Sequence, residues 1–158
     1  MHPFRKRWLF PAVAAILLGS LLHFTFELLW EHMKLCFWPL SVAGALNCAR
    51  LGYTVREWAV PLAVSVTFAV LLIPFVFYFL LSGLGFESLV SDILLYIAAV
   101  SSGFIVLERM VRSNAFYPVM PGLITLAVWA AFFILFTFLP PHLPLFMEMR
   151  GGFYGIGG

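Results

Sequence analysis

Long apolar runs, separated by short polar breaks, are the main pattern along this chain of 158 residues. A helix that crosses a bilayer needs about 20 mostly apolar residues. Backbone groups in hydrocarbon must bond within their own segment, and continuous apolar runs exclude the alternating pattern of a membrane barrel. We therefore predict an all-α integral membrane protein, a single domain over 1–158 that forms a bundle of five transmembrane helices. The predicted spans are about 8–29, 32–49, 58–81, 86–107 and 119–139.

The second predicted span, 32–49, is the least apolar of the five. Glu31 and Lys34 lie at its start, and Pro39 and Asn47 lie inside it. Hydropathy alone leaves open that this segment is re-entrant or interfacial rather than membrane-spanning.

The distribution of basic residues favours a second span that crosses. With five spans and a cytoplasmic N-terminus, seven of the nine Lys and Arg residues lie on the cytoplasmic side. Those seven are Arg5, Lys6, Arg7, Arg50, Arg56, Arg109 and Arg112. Only Lys34 and Arg150 lie outside, in agreement with the positive-inside rule. The prediction is a cytoplasmic N-terminus and an extracytoplasmic C-terminus.

Composition supports a membrane protein and narrows its partners. The chain is 63% hydrophobic and 10% charged, with a mean hydropathy of +1.04. Soluble domains carry about 25% charged residues, and a soluble fold of this length could not hide so much apolar surface. We expect a multi-pass protein of the cell inner (plasma) membrane, with the lipid bilayer and other membrane subunits or further copies as partners. A net charge of +2 without a long basic run argues against nucleic acid.

The predicted topology gathers scarce polar residues at the extracytoplasmic end. His23 and Glu27 lie one helical turn apart on the first span, Glu31 and His32 follow at the reversal into the second, and His142 follows the fifth. Asp92 lies in the outer half of the fourth span. Ionisable groups at membrane depth are costly and usually face the bundle interior in pairs, so this end is the candidate site.

Three interpretations of this polar end remain open. His23, His32 and His142, with Glu27 or Glu31, could bind a divalent metal such as zinc. Glu27 and Asp92, with His23, could relay protons or ions. In a purely structural role, Glu27, Glu31, His32 and Lys34 would clamp a tight helical hairpin.

No catalytic motif accompanies these residues. The sequence has no Gly-rich phosphate loop, Gly-x-Ser-x-Gly elbow, His-Glu-x-x-His or haem-attachment motif. The functional hypotheses are a protein that binds or moves an ion or small molecule through the His/Glu cluster, a non-catalytic accessory subunit of a larger membrane complex, and a membrane-embedded metal-dependent enzyme. The catalytic hypothesis lacks a demonstrable nucleophile.

Three stretches resemble the signature of an uncharacterised family of small multi-pass bacterial and archaeal membrane proteins, a domain of unknown function. The first is Leu21-Leu22-His23-Phe24 followed by Glu27. The second is Trp30-Glu31-His32-Met33-Lys34-Leu35 followed by Phe37 and Pro39. The third is Phe136-Thr137-Phe138, then Pro140-Pro141-His142-Leu143-Pro144-Leu145-Phe146, and Tyr154-Gly155-Ile156. The resemblance implies a membrane bundle along most of the chain and implies no activity.

Overall fold

The computed structural model describes residues 3–23, 29–85, 88–113, 115 and 117–142, without the side chains of 3–6 and 19–23. These residues form five α-helices and no strand, as the hydropathy pattern predicts. The helices are α1 (Pro3–His23), α2 (Leu29–Arg50), α3 (Val55–Tyr78), α4 (Leu89–Arg112) and α5 (Val119–Phe138), and a π-helical turn (Phe79–Gly83) extends α3.

Three of the described helices are long and apolar enough to cross a membrane. They are Val55–Gly83, Leu89–Arg112 and Val119–Phe138. Helices α1 and α2 have similar lengths, 21 and 22 residues. The part of α1 whose side chains are described, Arg7–Leu18, is an apolar helical segment. Helix α2 carries charged residues in its first and last turns.

The boundary between the first two helices differs from the prediction. Leu29, predicted to end the first span, is the first residue of α2 and is buried. Apolar residues continue on both sides of this boundary, so hydropathy alone could not locate it. Helix α2 then continues without a break through Pro39 to Arg50.

Helix α3 occupies the centre of the bundle and packs against α2, α4 and α5, whereas α1 packs against α2 and α4. The core between α2, α3 and α4 consists of fully buried aliphatic side chains such as Leu40, Val66, Val70, Val100 and Leu107. By contrast, α5 buries only Gly122 and Phe133. Its large exposed apolar surface suits hydrocarbon as the solvent and would be a liability in water.

Glycine and alanine allow the central helices to approach closely. A Cβ atom on Gly103 would lie 2.7 Å from Leu40 Cδ2 of α2 and 3.2 Å from Ala69 Cβ of α3. Ala99, four residues earlier, is also fully buried, whereas the neighbouring Ala98 is exposed. The pair Ala99 and Gly103 therefore forms a small-residue packing surface of the kind found between membrane helices.

A tight turn reverses the chain between α2 and α3. Gly52 adopts a left-handed backbone (φ 84°), which glycine accepts without steric cost. The Glu57 carboxylate then accepts hydrogen bonds from the Thr54 backbone N–H (2.6 Å) and hydroxyl (2.8 Å), which fixes the start of α3. Helices α2 and α3 therefore form an antiparallel hairpin.

Candidate functional site

The candidate site lies at one end of the bundle, where the N-termini of α2 and α4 meet the C-terminal parts of α3 and α5. We call this the polar end. Two of the predicted site residues cannot be placed by their side chains. His23 is the last residue of α1, but its side chain and the whole of Glu27 lie outside the described residues.

A charged pair in the first turns of α2 links this helix to α5. Glu31 is 7% exposed and forms an ion pair with Lys34. The Lys34 ammonium also donates to Thr137 Oγ1 of α5 at 3.0 Å, and the Thr137 hydroxyl donates to the Phe133 carbonyl at 2.6 Å. A buried charge is tolerated when it is paired and hydrogen-bonded. The pair therefore acts as a polar clamp between two helices.

Aromatic rings reinforce the same contact. The Trp30 ring lies 4.8 Å from the Phe133 ring and 5.9 Å from the Phe136 ring, measured between centroids. Phe37, two turns further along α2, lies 5.0 Å from Phe133. The Trp-Glu-His-Met-Lys stretch and the end of α5 therefore contact each other directly at the polar end.

His32 and Asp92 line one small cavity on the other side of α2. The cavity measures about 10 Å³ and its remaining walls are Leu29, Ile73, Phe77, Leu95 and Tyr96. This volume is room for about one water molecule or a bare ion. The structure therefore brings together two residues that the sequence assigned to separate hypotheses, His32 to the metal set and Asp92 to the relay.

Tyr96 closes the cavity toward the bundle interior. Its side chain is 2% exposed, and its hydroxyl lies 3.0 Å from the Ala15 carbonyl and 3.4 Å from the Leu35 carbonyl, so it links α4 to α1 and α2. Nothing in the sequence assigned a role to Tyr96, and Thr137 entered only as part of a stretch that resembles the family. Each residue carries a hydroxyl group within an otherwise apolar helix, and such an isolated polar group is the sequence feature that could have identified it.

Beyond Tyr96 the described interior is mostly apolar, and its buried polar residues are Asn47 and Ser65. Ser65 donates to the Pro61 carbonyl (2.6 Å) and Ser102 to the Ala99 carbonyl (2.9 Å), each within its own helix. Thr67 accepts from the Trp129 indole of α5 at 2.9 Å. These three hydroxyls are engaged in separate hydrogen bonds within or between helices and do not connect to one another as a polar path.

Glu31 and His142, the other predicted ligands whose side chains are described, do not line this cavity. Glu31 lines a groove between α1 and α2, whereas His32 lines the cavity between α2, α3 and α4. His142 is exposed after the end of α5. Among the residues whose side chains are described, no three His, Cys, Asp or Glu side chains are grouped so that they could hold a metal ion. A complete metal site would need His23 or Glu27 as well.

Comparison with protein families matches residues 2–156 to the "Family of unknown function (DUF6512)". The chain belongs to this family. The match covers nearly the whole chain, including all five helices and the polar end, and it confirms the predicted membership of an uncharacterised family. Comparisons with curated proteins and with solved structures gave no match. For this member of DUF6512, function has to be argued from the polar end itself.

Proposed function

We propose that this protein crosses the inner membrane five times, with its N-terminus in the cytoplasm and its polar end outside. The packing supports a second helix that crosses together with the third. Helix α2 has 22 residues, or roughly 33 Å of helix. Leu40 of α2 and Ala69 of α3 both lie beside Gly103, and four residues further along α2 Gly44 lies beside Leu62 of α3. Helix α2 therefore runs antiparallel to α3 at the same depth. A shallow re-entrant segment does not suit that packing.

The alignment of α5 supports the same topology. Gly122 lies against Ala59, and seven residues later Trp129 lies against Thr67, so α5 runs parallel to α3. If α3 crosses outward, α4 returns and α5 crosses outward again. Arg50, Arg109 and Arg112 then lie on the cytoplasmic side, as the positive-inside rule requires.

We further propose that the polar end binds a small cation between His32 and Asp92. The observation that carries this proposal is their shared cavity, because an imidazole nitrogen and a carboxylate oxygen are ligands that zinc and similar ions accept. Glu27, which the sequence analysis names as a possible metal ligand, precedes the lining residue Leu29 by two positions in the sequence, and we propose it as a third ligand.

Binding suits this arrangement better than conduction. An ion that moved inward from the cavity would meet Tyr96, whose hydroxyl is engaged with α1, and then the aliphatic core. Entry of an unsolvated ion into that core would carry a large desolvation penalty. The site therefore acts as an end point for the cation.

Metal titration of the purified protein tests the proposal. Metal-stripped protein in mild detergent is titrated with Co²⁺, whose absorption spectrum reports its ligands, and then with Zn²⁺. We expect one equivalent per chain in the wild type and at least tenfold weaker binding in His32→Ala and in Asp92→Asn. Glu108→Gln is the control, because Glu108 pairs with Arg112 (3.1 Å) at the opposite end of α4.

Two results would contradict the proposal. One is the absence of stoichiometric metal binding in the folded wild type. The other is binding that is unchanged in both cavity variants. Absent metal together with fixed co-purifying membrane subunits would instead support the accessory-subunit hypothesis.

A further inference from the structure

A second candidate site lies on the membrane face of the bundle, in the groove between α1 and α2. The groove measures about 600 Å³, and its walls are almost wholly apolar. Ala14, Ala15 and Leu18 form one side, and Leu35, Val42 and Leu46 are among the residues of the other. Among the described residues, the charged ones that line the groove are Glu31 and Lys34, both in the first turns of α2.

The charges lie at one end of an otherwise apolar groove, so the groove is complementary to an amphiphilic ligand with a polar head group and an apolar chain. Leu46 follows Lys34 by twelve residues on α2, or roughly 18 Å along the helix axis. Half of the hydrocarbon core of a bilayer is about 15 Å thick. The apolar part of the groove therefore matches the length of one acyl chain whose head group lies at Lys34.

The charge of the groove end selects the head group. Glu31 and Lys34 form an ion pair, so their net charge is zero, and their side chains retain 9% and 13% exposure. An ammonium has three N–H donors, and the contacts to Glu31 and Thr137 use two of them. A third donor suits a phosphate oxygen, while the Glu31 carboxylate can accept from a second ammonium. A purely anionic head group would be repelled by Glu31.

We propose that this groove binds one phosphatidylethanolamine molecule, with its phosphate at Lys34, its ammonium at Glu31 and one acyl chain along α2 toward Leu46. The lipid would complete the contact between α1 and α2, where small side chains such as Ala14 and Ala43 leave the groove open. This site is separate from the His32 cavity and does not depend on cation binding there.

Native mass spectrometry of the full-length protein tests the proposal. Delipidated protein in mild detergent is titrated with phosphatidylethanolamine or with phosphatidylglycerol, and bound lipid is counted per chain. We expect one phosphatidylethanolamine bound at least tenfold more tightly than phosphatidylglycerol. Lys34→Gln should weaken that binding at least tenfold.

A matched pair of variants separates lipid binding from folding. Ala14→Phe fills the groove and leaves the ion pair intact, whereas Ala98→Phe places the same bulk on an exposed alanine of α4 that does not line the groove. We expect Ala14→Phe to lose the bound lipid and Ala98→Phe to retain it. Equal affinity for the two lipids, or equal lipid binding by the two phenylalanine variants, would overturn the proposal.

Discussion

Helices α3 and α5 approach each other closely at Gly122, which makes Gly122→Ala an informative perturbation. A Cβ atom at this position would lie 2.5 Å from the Ala59 carbonyl carbon, 2.6 Å from the Val60 nitrogen and 2.7 Å from the Ala59 oxygen. All three neighbours are backbone atoms of α3. They cannot rotate away as a side chain can, so the helices themselves must separate.

The size of the effect follows from these distances. Ordinary contact begins at 3.4 Å, so α5 must move by 3.4 − 2.5 = 0.9 Å at this point. Such a shift strains the Trp129–Thr67 hydrogen bond, now 2.9 Å long. Overpacking of this kind costs about 1–3 kcal/mol, and an interhelical hydrogen bond in a membrane adds about 0.6 kcal/mol. The helix propensity of alanine returns about 1 kcal/mol. We expect a net destabilisation of roughly 0.6–2.6 kcal/mol.

Unfolding in mixed micelles of mild detergent and SDS measures this change, with indole fluorescence as the readout of α5 and Trp129→Phe as the blank for that signal. Gly44→Ala is the control, because its Cβ would meet only side-chain tips, Leu62 Cδ1 at 2.7 Å and Leu107 Cδ2 at 3.0 Å. Those tips can shift, so we expect Gly44→Ala to change stability less. A Gly122→Ala protein as stable as the wild type would refute the close α3–α5 packing.

Two further predictions concern the polar end. Glu31→Gln should destabilise the protein by the lower end of roughly 3–5 kcal/mol, because Lys34 would keep a nearly buried charge without its carboxylate partner. In the same SDS titration, the double variant Glu31→Gln/Lys34→Met should be less destabilised than the single variant. A double variant that is less stable than Glu31→Gln would exclude the clamp. Tyr96→Phe should lower the free energy of unfolding by about 1 kcal/mol, because the Ala15 carbonyl loses its side-chain donor. Amide hydrogen exchange near Ala15 should also increase. Unchanged stability and exchange would show that this hydrogen bond contributes nothing.

The helices could be predicted from sequence because the apolar runs are long and their breaks carry proline, glycine or charge. The α2–α3 turn, for example, has Arg50 before it and the glycine it needs at position 52. The start of α2 was harder to locate, because apolar side chains flank it on both sides. The spacing of small residues was also ambiguous, because Ala98/Ser102 and Ala99/Gly103 both have the four-residue spacing that permits close helix packing. In the structure, the rotation of α4 about its axis turns Ala99 and Gly103 toward the neighbouring helices.

The candidate site was predictable as a region but not as a set of contacts. Topology assigned His32, Asp92 and Lys34 to one end, and the structure places them there. Which side of α2 each one faces depends on helix rotation, which hydropathy does not encode. The bond from Lys34 to Thr137 joins residues 103 positions apart, and no local pattern could have indicated it. The predicted roles of His23 and Glu27 fall on side chains outside the described residues and remain predictions.

The central claim is that α2 crosses the membrane, because this puts the polar end outside. Single cysteines at Val55, which begins α3, and at Ser82, in the π-helical turn, test it; both positions are exposed, and the native Cys36 and Cys48 are buried and replaced by alanine. In intact cells a membrane-impermeant maleimide should label Ser82→Cys and leave both Val55→Cys and an N-terminal tag protected. Labelling of Val55→Cys with protection of Ser82→Cys, while the N-terminus stays inside, would contradict the account.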